Sequence, residues 1–180
     1  MPTIALKVQQ DGAWQGWSSL TGASFGYQAV DDSDGVTHDS ATTYLTLPKL
    51  NLALFQGRVS FPVFLQAEGL VPTSITINVV AQRGGALRPR LQIGFYQGGL
   101  VGFDASMFDP TASWSLAQRT FSTNPITGQP WSQSDLVGLE ACVQNEAGAF
   151  GNNDITLISG SLTGAPLSNW AHPEPVMHLA

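Results

Sequence analysis

Short runs of alternating apolar and polar residues, each cut off by glycine or proline within about ten positions, commit this chain to β-structure. Ile4, Leu6 and Val8 alternate with Thr3, Ala5, Lys7 and Gln9. Ile75, Ile77, Val79 and Ala81 alternate with Thr76, Asn78, Val80 and Gln82. Leu91, Ile93 and Phe95 do so with Gln92, Gly94 and Tyr96. A period of two sends successive side chains to opposite faces, so each run predicts a strand with one buried side. Val59 to Leu65 reads as another, but Pro62 has no amide hydrogen to give a ladder and confines it to an edge or a bulge. Trp114, Leu116 and Gln118 share one face of a strand running to Phe121, and Leu139–Gln144 and Ile155–Leu162 bring the total to seven or eight.

Gly84-Gly85, Gly98-Gly99, Asp109-Pro110, Asn124-Pro125 with Thr127-Gly128, and Gly151-Asn152-Asn153 separate these runs. Each offers the positive or fixed φ that a chain reversal needs. Only Ser132 to Val137 reads as helical, for one or two turns, with Ser132 or Ser134 as its N-cap. Many short strands and almost no helix indicate an antiparallel sandwich or barrel. Residues 14–51, rich in Gly, Ser, Asp and Thr, have weak periodicity and read as an irregular segment within a domain spanning 1–167. The prolines of Trp170-Ala171-His172-Pro173-Glu174-Pro175 exclude a central strand, so 168–180 is expected to be an extended C-terminal arm.

A formal charge of -6 and only seven basic residues argue against binding nucleic acid or an anionic membrane, both of which call for clustered Lys and Arg. No apolar run approaches the roughly 20 residues of a membrane-spanning helix, and Met1-Pro2-Thr3 leads directly into alternation rather than into a leader. Charged residues are only 11% of the chain, so the surface consists of neutral polar groups or is covered by other protein. The single cysteine, Cys142, lies in an apolar stretch that suits a buried thiol.

Gly26-Tyr27-Gln28-Ala29-Val30-Asp31-Asp32 is followed by His38-Asp39-Ser40-Ala41-Thr42-Thr43-Tyr44-Leu45. Next come the Ile-rich strand ending Ala81-Gln82-Arg83, the turn Asn124-Pro125-Ile126-Thr127-Gly128-Gln129-Pro130-Trp131, and Asp135-Leu136-Val137-Gly138-Leu139-Glu140. In this order the segments, from Tyr27 to Thr163, resemble a group of tailed-bacteriophage virion proteins with jelly-roll-like β-sandwich domains. Asn124 to Trp131 is the most specific part. The sequence departs from the group's pattern at Asp39-Ser40-Ala41, where a glycine is usual, and at Ser132 in place of Thr. The resemblance implies an all-β, jelly-roll-like antiparallel sandwich and a structural role in the virion. A head decoration or cement component comes first, and a tail-associated fibre, baseplate or adaptor protein second. The expected partners are a major capsid or tail protein and further copies of the chain.

No residue set converges on catalysis. There is no Gly-x-Ser-x-Gly elbow, and two of the three histidines, His172 and His178, lie near the C-terminus. Asp104, Asp109 and Glu140 lack the pairing a glycosidase would need. Asp31-Asp32-Ser33-Asp34-Gly35, with His38 and Asp39, offers oxygen ligands for a hard cation but lacks the order of an EF-hand loop, so it reads as a solvated turn. Gln97 to Gly102 lacks the lysine of a phosphate loop and reads as a hairpin. No cofactor or metal is expected, and the chain is expected not to be an enzyme. Trp14 and Trp17 flank Gly16 near Phe25 and Tyr27. Such rings fill cores and subunit interfaces, or stack on sugars in carbohydrate-binding modules. Trp14, Trp17, Trp170, His172, Pro173 and Pro175 are therefore the candidate interface residues, and a host glycan is the alternative ligand.

Overall fold

The structure, a computed structural model, describes residues 1–30, 42–47, 58–62, 70–86, 89–146 and 151–166. These form ten strands: β1 (Thr3–Lys7), β2 (Ser19–Thr21), β3 (Tyr44–Leu47), β4 (Arg58–Pro62), β5 (Leu70–Arg83), β6 (Leu91–Gln97), β7 (Leu100–Phe103), β8 (Ser115–Phe121), β9 (Glu140–Asn145) and β10 (Asn153–Pro166). Every pairing is antiparallel. One sheet runs β2-β3-β10-β5-β8, with β1 joining β10 along Ser159–Thr163; the other runs β4-β9-β6-β7. The two form a jelly-roll-like antiparallel β-sandwich.

The alternating runs supply its interior. Ile75, Ile77, Val79 and Ala81 of β5 share one buried cluster with Leu91, Ile93 and Phe95 of β6 and Ala141 and Val143 of β9. Burial of each large aliphatic or aromatic side chain is worth about 1.5–3 kcal/mol. Pro62 sits on β4, an edge strand, where its missing donor is tolerated. The segment expected to be irregular contributes two short strands, β2 and β3, because Leu45 and Leu47 are drawn into the core beside β10.

The turn from Asn124 to Trp131 is a small hairpin. Asn124 N–H donates to the Gln129 carbonyl (2.9 Å), Gly128 N–H to the Asn124 carbonyl (2.7 Å) and Ile126 N–H to Asn124 Oδ1 (2.9 Å). It delivers Trp131 into the core against Phe95, at 5.4 Å between ring centroids, where its Nε1–H donates to the Phe121 carbonyl (2.8 Å). A 3-10 turn at Gln133–Leu136 follows in place of an α-helix. Asp135 holds its start by accepting from the Ser132 N–H (2.7 Å) and hydroxyl (2.8 Å).

A bulge between Ile155 and Leu157 reverses the facing of β10, so Ile158 points inward and Leu157 outward opposite Val80. Both outward residues are nonetheless buried. Tyr44 and Trp114 lie on this outward side of the sheet. Their rings meet at 5.9 Å, although β3 and the start of β8 stand three strand spacings, about 14 Å, apart. The pair therefore reaches over the span of β10 and β5, on the same outward face as Leu157 and Val80.

Candidate functional site

The outer face of the four-stranded sheet carries the richest arrangement of side chains. Along its β4 edge lies a strap formed by Gly12 to Trp14. Gly12 N–H donates to the Ser60 carbonyl (3.0 Å), Ser60 N–H to the Trp14 carbonyl (3.0 Å) and Trp14 N–H to Ser60 Oγ (3.1 Å). Gly12 is required by proximity, since a Cβ there would stand 2.3 Å from Glu140 Oε2 and 2.5 Å from the Ser60 carbonyl oxygen. The strap covers the ladder groups that an edge strand would otherwise expose.

From this strap the Trp14 indole reaches Tyr96 on β6, meeting it edge-on at 5.9 Å and 82°. Strand β9 lies between β4 and β6, which are therefore about 10 Å apart, so the indole crosses above β9. Ser60, Cys142 and Gly94 form a row of small residues across the sheet, and Ser60 and Cys142 are fully buried. Beyond Gly94, Phe103 of β7 folds over the missing side chain: a Cβ at Gly94 would stand 2.8 Å from Phe103 Cδ1. The small row thus lets large rings lie low on the sheet. Trp14, Tyr96 and Phe103 are all half-buried, leaving part of each open.

Polar groups rim these rings. Gln92 and Gln144 pair in register, with Gln144 Nε2 donating to Gln92 Oε1 (2.8 Å). Gln92 Nε2 and the Tyr96 hydroxyl make no protein hydrogen bond among the described residues. Their backbone positions stand four residues, about 13 Å, apart along β6. Opposite Tyr96 stands Glu140, whose Oε2 accepts from Ala13 N–H (2.8 Å) and from the Ser60 hydroxyl.

Of the residues singled out by sequence, Trp14 belongs to this face and Trp17 does not. Trp17 packs against the core and over Gly26, where a Cβ would stand 2.6 Å from its ring. Asp11 fixes that neighbourhood by accepting from Tyr27 N–H (2.6 Å) and Gly26 N–H (3.4 Å), and Phe25 stacks on Tyr27 at 5.9 Å. Trp170, His172, Pro173, Pro175, the acidic cluster from Asp31 to Asp39 and the histidines lie outside the described residues. Gln97 to Gly102 forms the β6–β7 hairpin, with Gly98 and Gly99 at φ +55° and +93°. Among the described residues no three His, Cys, Asp or Glu side chains gather as metal ligands. Asp104 is paired with Arg119 at 3.1 Å. Arg90 and Glu146 form an exposed ion pair whose hydrogen bond holds the Glu146 carboxyl below its usual range and raises Arg90.

Sequence reasoning did not single out Tyr96, Phe103, Gln92 or Gln144 as site residues. Gln92, Tyr96 and Gln144 sit at outward positions of strands read correctly, whereas Phe103 lies on β7, which was not read as a strand, and only the register across β9, β6 and β7 brings the four together.

By sequence, neither a family model nor a curated protein matches the chain. By structure, it is similar to the Clostridium thermocellum endo-1,4-β-D-xylanase 10B CBM22-1–GH10 modules complexed with xylohexaose. The TM-score is 0.51 at 8% identity, over 92% of this chain and 29% of that one. It also resembles the CBM22-1 xylan-binding domain of Paenibacillus barcinonensis Xyn10C, with a TM-score of 0.47 at 14% identity over 90% and 94% of the two chains. The second N-terminal cellulose-binding domain of Cellulomonas fimi β-1,4-glucanase C gives 0.42 at 14% identity over 89% and 95%. At such identities the likeness concerns the fold.

Proposed function

We propose that the protein is a non-catalytic binding module that takes a glycan on the outer face of its four-stranded sheet. The observation that carries this reading is the surface made by Trp14, Tyr96 and Phe103, with the uncommitted Gln92 amide nitrogen and Tyr96 hydroxyl at its rim. Sugar rings present apolar C–H faces that pack on aromatic rings, and hydroxyls that pair with amides and phenols. The strip is longer than one sugar ring, so a chain suits it better than a monosaccharide. The fold shared with the xylanase modules complexed with xylohexaose is in keeping with this use. Titration calorimetry with xylo- and cello-oligosaccharides tests it. The parent should bind at least one series saturably, and Tyr96→Ala should weaken that binding about tenfold, or about 1.4 kcal/mol. A parent that binds no glycan in a broad panel would rule the reading out.

A second reading, that the sandwich is a structural component of a tailed-phage particle, draws on the Asn124–Trp131 hairpin and on the low charge of the chain. The two are compatible, since a virion protein with a glycan-binding face would meet host surfaces. Immunogold labelling of purified particles is the direct test, with label on heads, on tails or on neither as its outcomes. No label on either would dismiss this reading.

A further inference from the structure

We propose that Glu140 makes the aromatic face selective for glycans carrying free amino groups, that is, unacetylated amino sugars in their protonated form. This deepens the glycan reading and depends on it. Glu140 stands beside Tyr96 in register, at the foot of the strap that carries Trp14. Oxygen Oε2 is fully engaged by Ala13 N–H and the Ser60 hydroxyl, and Gly12 packs against it. These bonds fix the carboxylate in place and leave Oε1 without a protein partner among the described residues.

Among the described residues no cation pairs with it. The ion pairs among the described residues are Arg90–Glu146 and Arg119–Asp104, and neither involves Glu140. The rest of the described rim is the neutral Gln92–Gln144 pair and the Tyr96 hydroxyl, with Arg58 of β4 in register beside Gln144 at its far end. An immobilised carboxylate beside indole and phenol rings favours an ammonium twice over. The carboxylate gives a charge-assisted hydrogen bond, and the ring faces attract positive charge. The same group repels uronic acids.

The residue acts through contact with ligand, so its signature is a ratio of affinities. Glu140→Gln suits the test, because the amide oxygen can still accept from Ala13 N–H and the Ser60 hydroxyl while the position of Oε1 becomes an uncharged amide nitrogen. Calorimetry would compare glucosamine oligomers, N-acetylglucosamine oligomers, cello-oligosaccharides and oligogalacturonate on the parent and on the variant. The parent should prefer the glucosamine series over its acetylated counterpart by about tenfold or more, the range of a charge-assisted hydrogen bond. Added salt should shrink that preference. In Glu140→Gln the ratio should fall to near one, with an unchanged melting temperature certifying the fold. A parent that binds the glucosamine and N-acetyl series equally, or prefers oligogalacturonate, would overturn the selectivity and leave the glycan reading standing. A parent that binds none of the four overturns the selectivity, and the glycan reading falls with it only if the xylo-oligosaccharides fail as well.

Discussion

Trp131 shows how a single residue can be both legible in sequence and decisive in structure. Pro130 cannot continue a ladder, and the turn before it reverses the chain, so the next large residue is aimed inward. In place, the indole is 5% exposed, packs on Phe95 and closes a hydrogen bond to the Phe121 carbonyl. Trp131→Ala should cost about 3–5 kcal/mol, the usual range for emptying a buried aromatic site. Trp131→Phe should cost less but more than nothing, because it leaves the Phe121 carbonyl short of a donor, worth about 1–3 kcal/mol. Urea denaturation of both variants checks the order. A Trp131→Ala protein as stable as the parent would mean that the hairpin rather than its ring holds this corner. Tyr96 and Glu140 were not legible in this way. Sequence shows that each lies in a strand, yet their meeting with Trp14 depends on a strap that obeys no periodicity.

At the scale of elements, the alternating runs were readable and the shortest strands were not. β5, β6 and β10 carry enough apolar residues at period two to announce themselves. β2, β3 and β7 are three or four residues long and take their conformation from neighbours already in place. The strap is the extreme case, one bridge's worth of backbone around Ser60. Its fit depends on Gly12, so Gly12→Ala should force the strap away from Ser60 and Glu140. Overpacking of this kind costs about 1–3 kcal/mol. The loss should be local: Trp14 moves off Tyr96, its emission shifts toward that of a solvated indole, and glycan binding weakens together with it. Unchanged emission in Gly12→Ala would show that the strap absorbs a methyl group without releasing the ring.

Over the whole molecule, the sandwich is closed by its most distant pairing. β1 completes the edge of β10, joining Thr3 to Thr163 and Lys7 to Ser159 across almost the full described chain. Topologies dominated by such contacts fold slowly, since loop closure precedes the contacts that reward it. Leu6 enters the core within this pairing and Val8 directly after it, and both are buried. Deleting residues 1–8 should therefore remove about 3–6 kcal/mol of burial. It should also bare the β10 backbone from Ser159 to Thr163 as an unprotected edge, a template for another strand. The shortened protein should melt earlier and associate as its concentration rises, by light scattering. A synthetic peptide of residues 1–10 should reverse both effects by adding back the missing strand in trans, with main-chain hydrogen bonds giving affinity and Leu6 and Val8 giving register. If the deletion variant stays monomeric and melts with the parent, β1 is an ornament on β10 and the core closes without it.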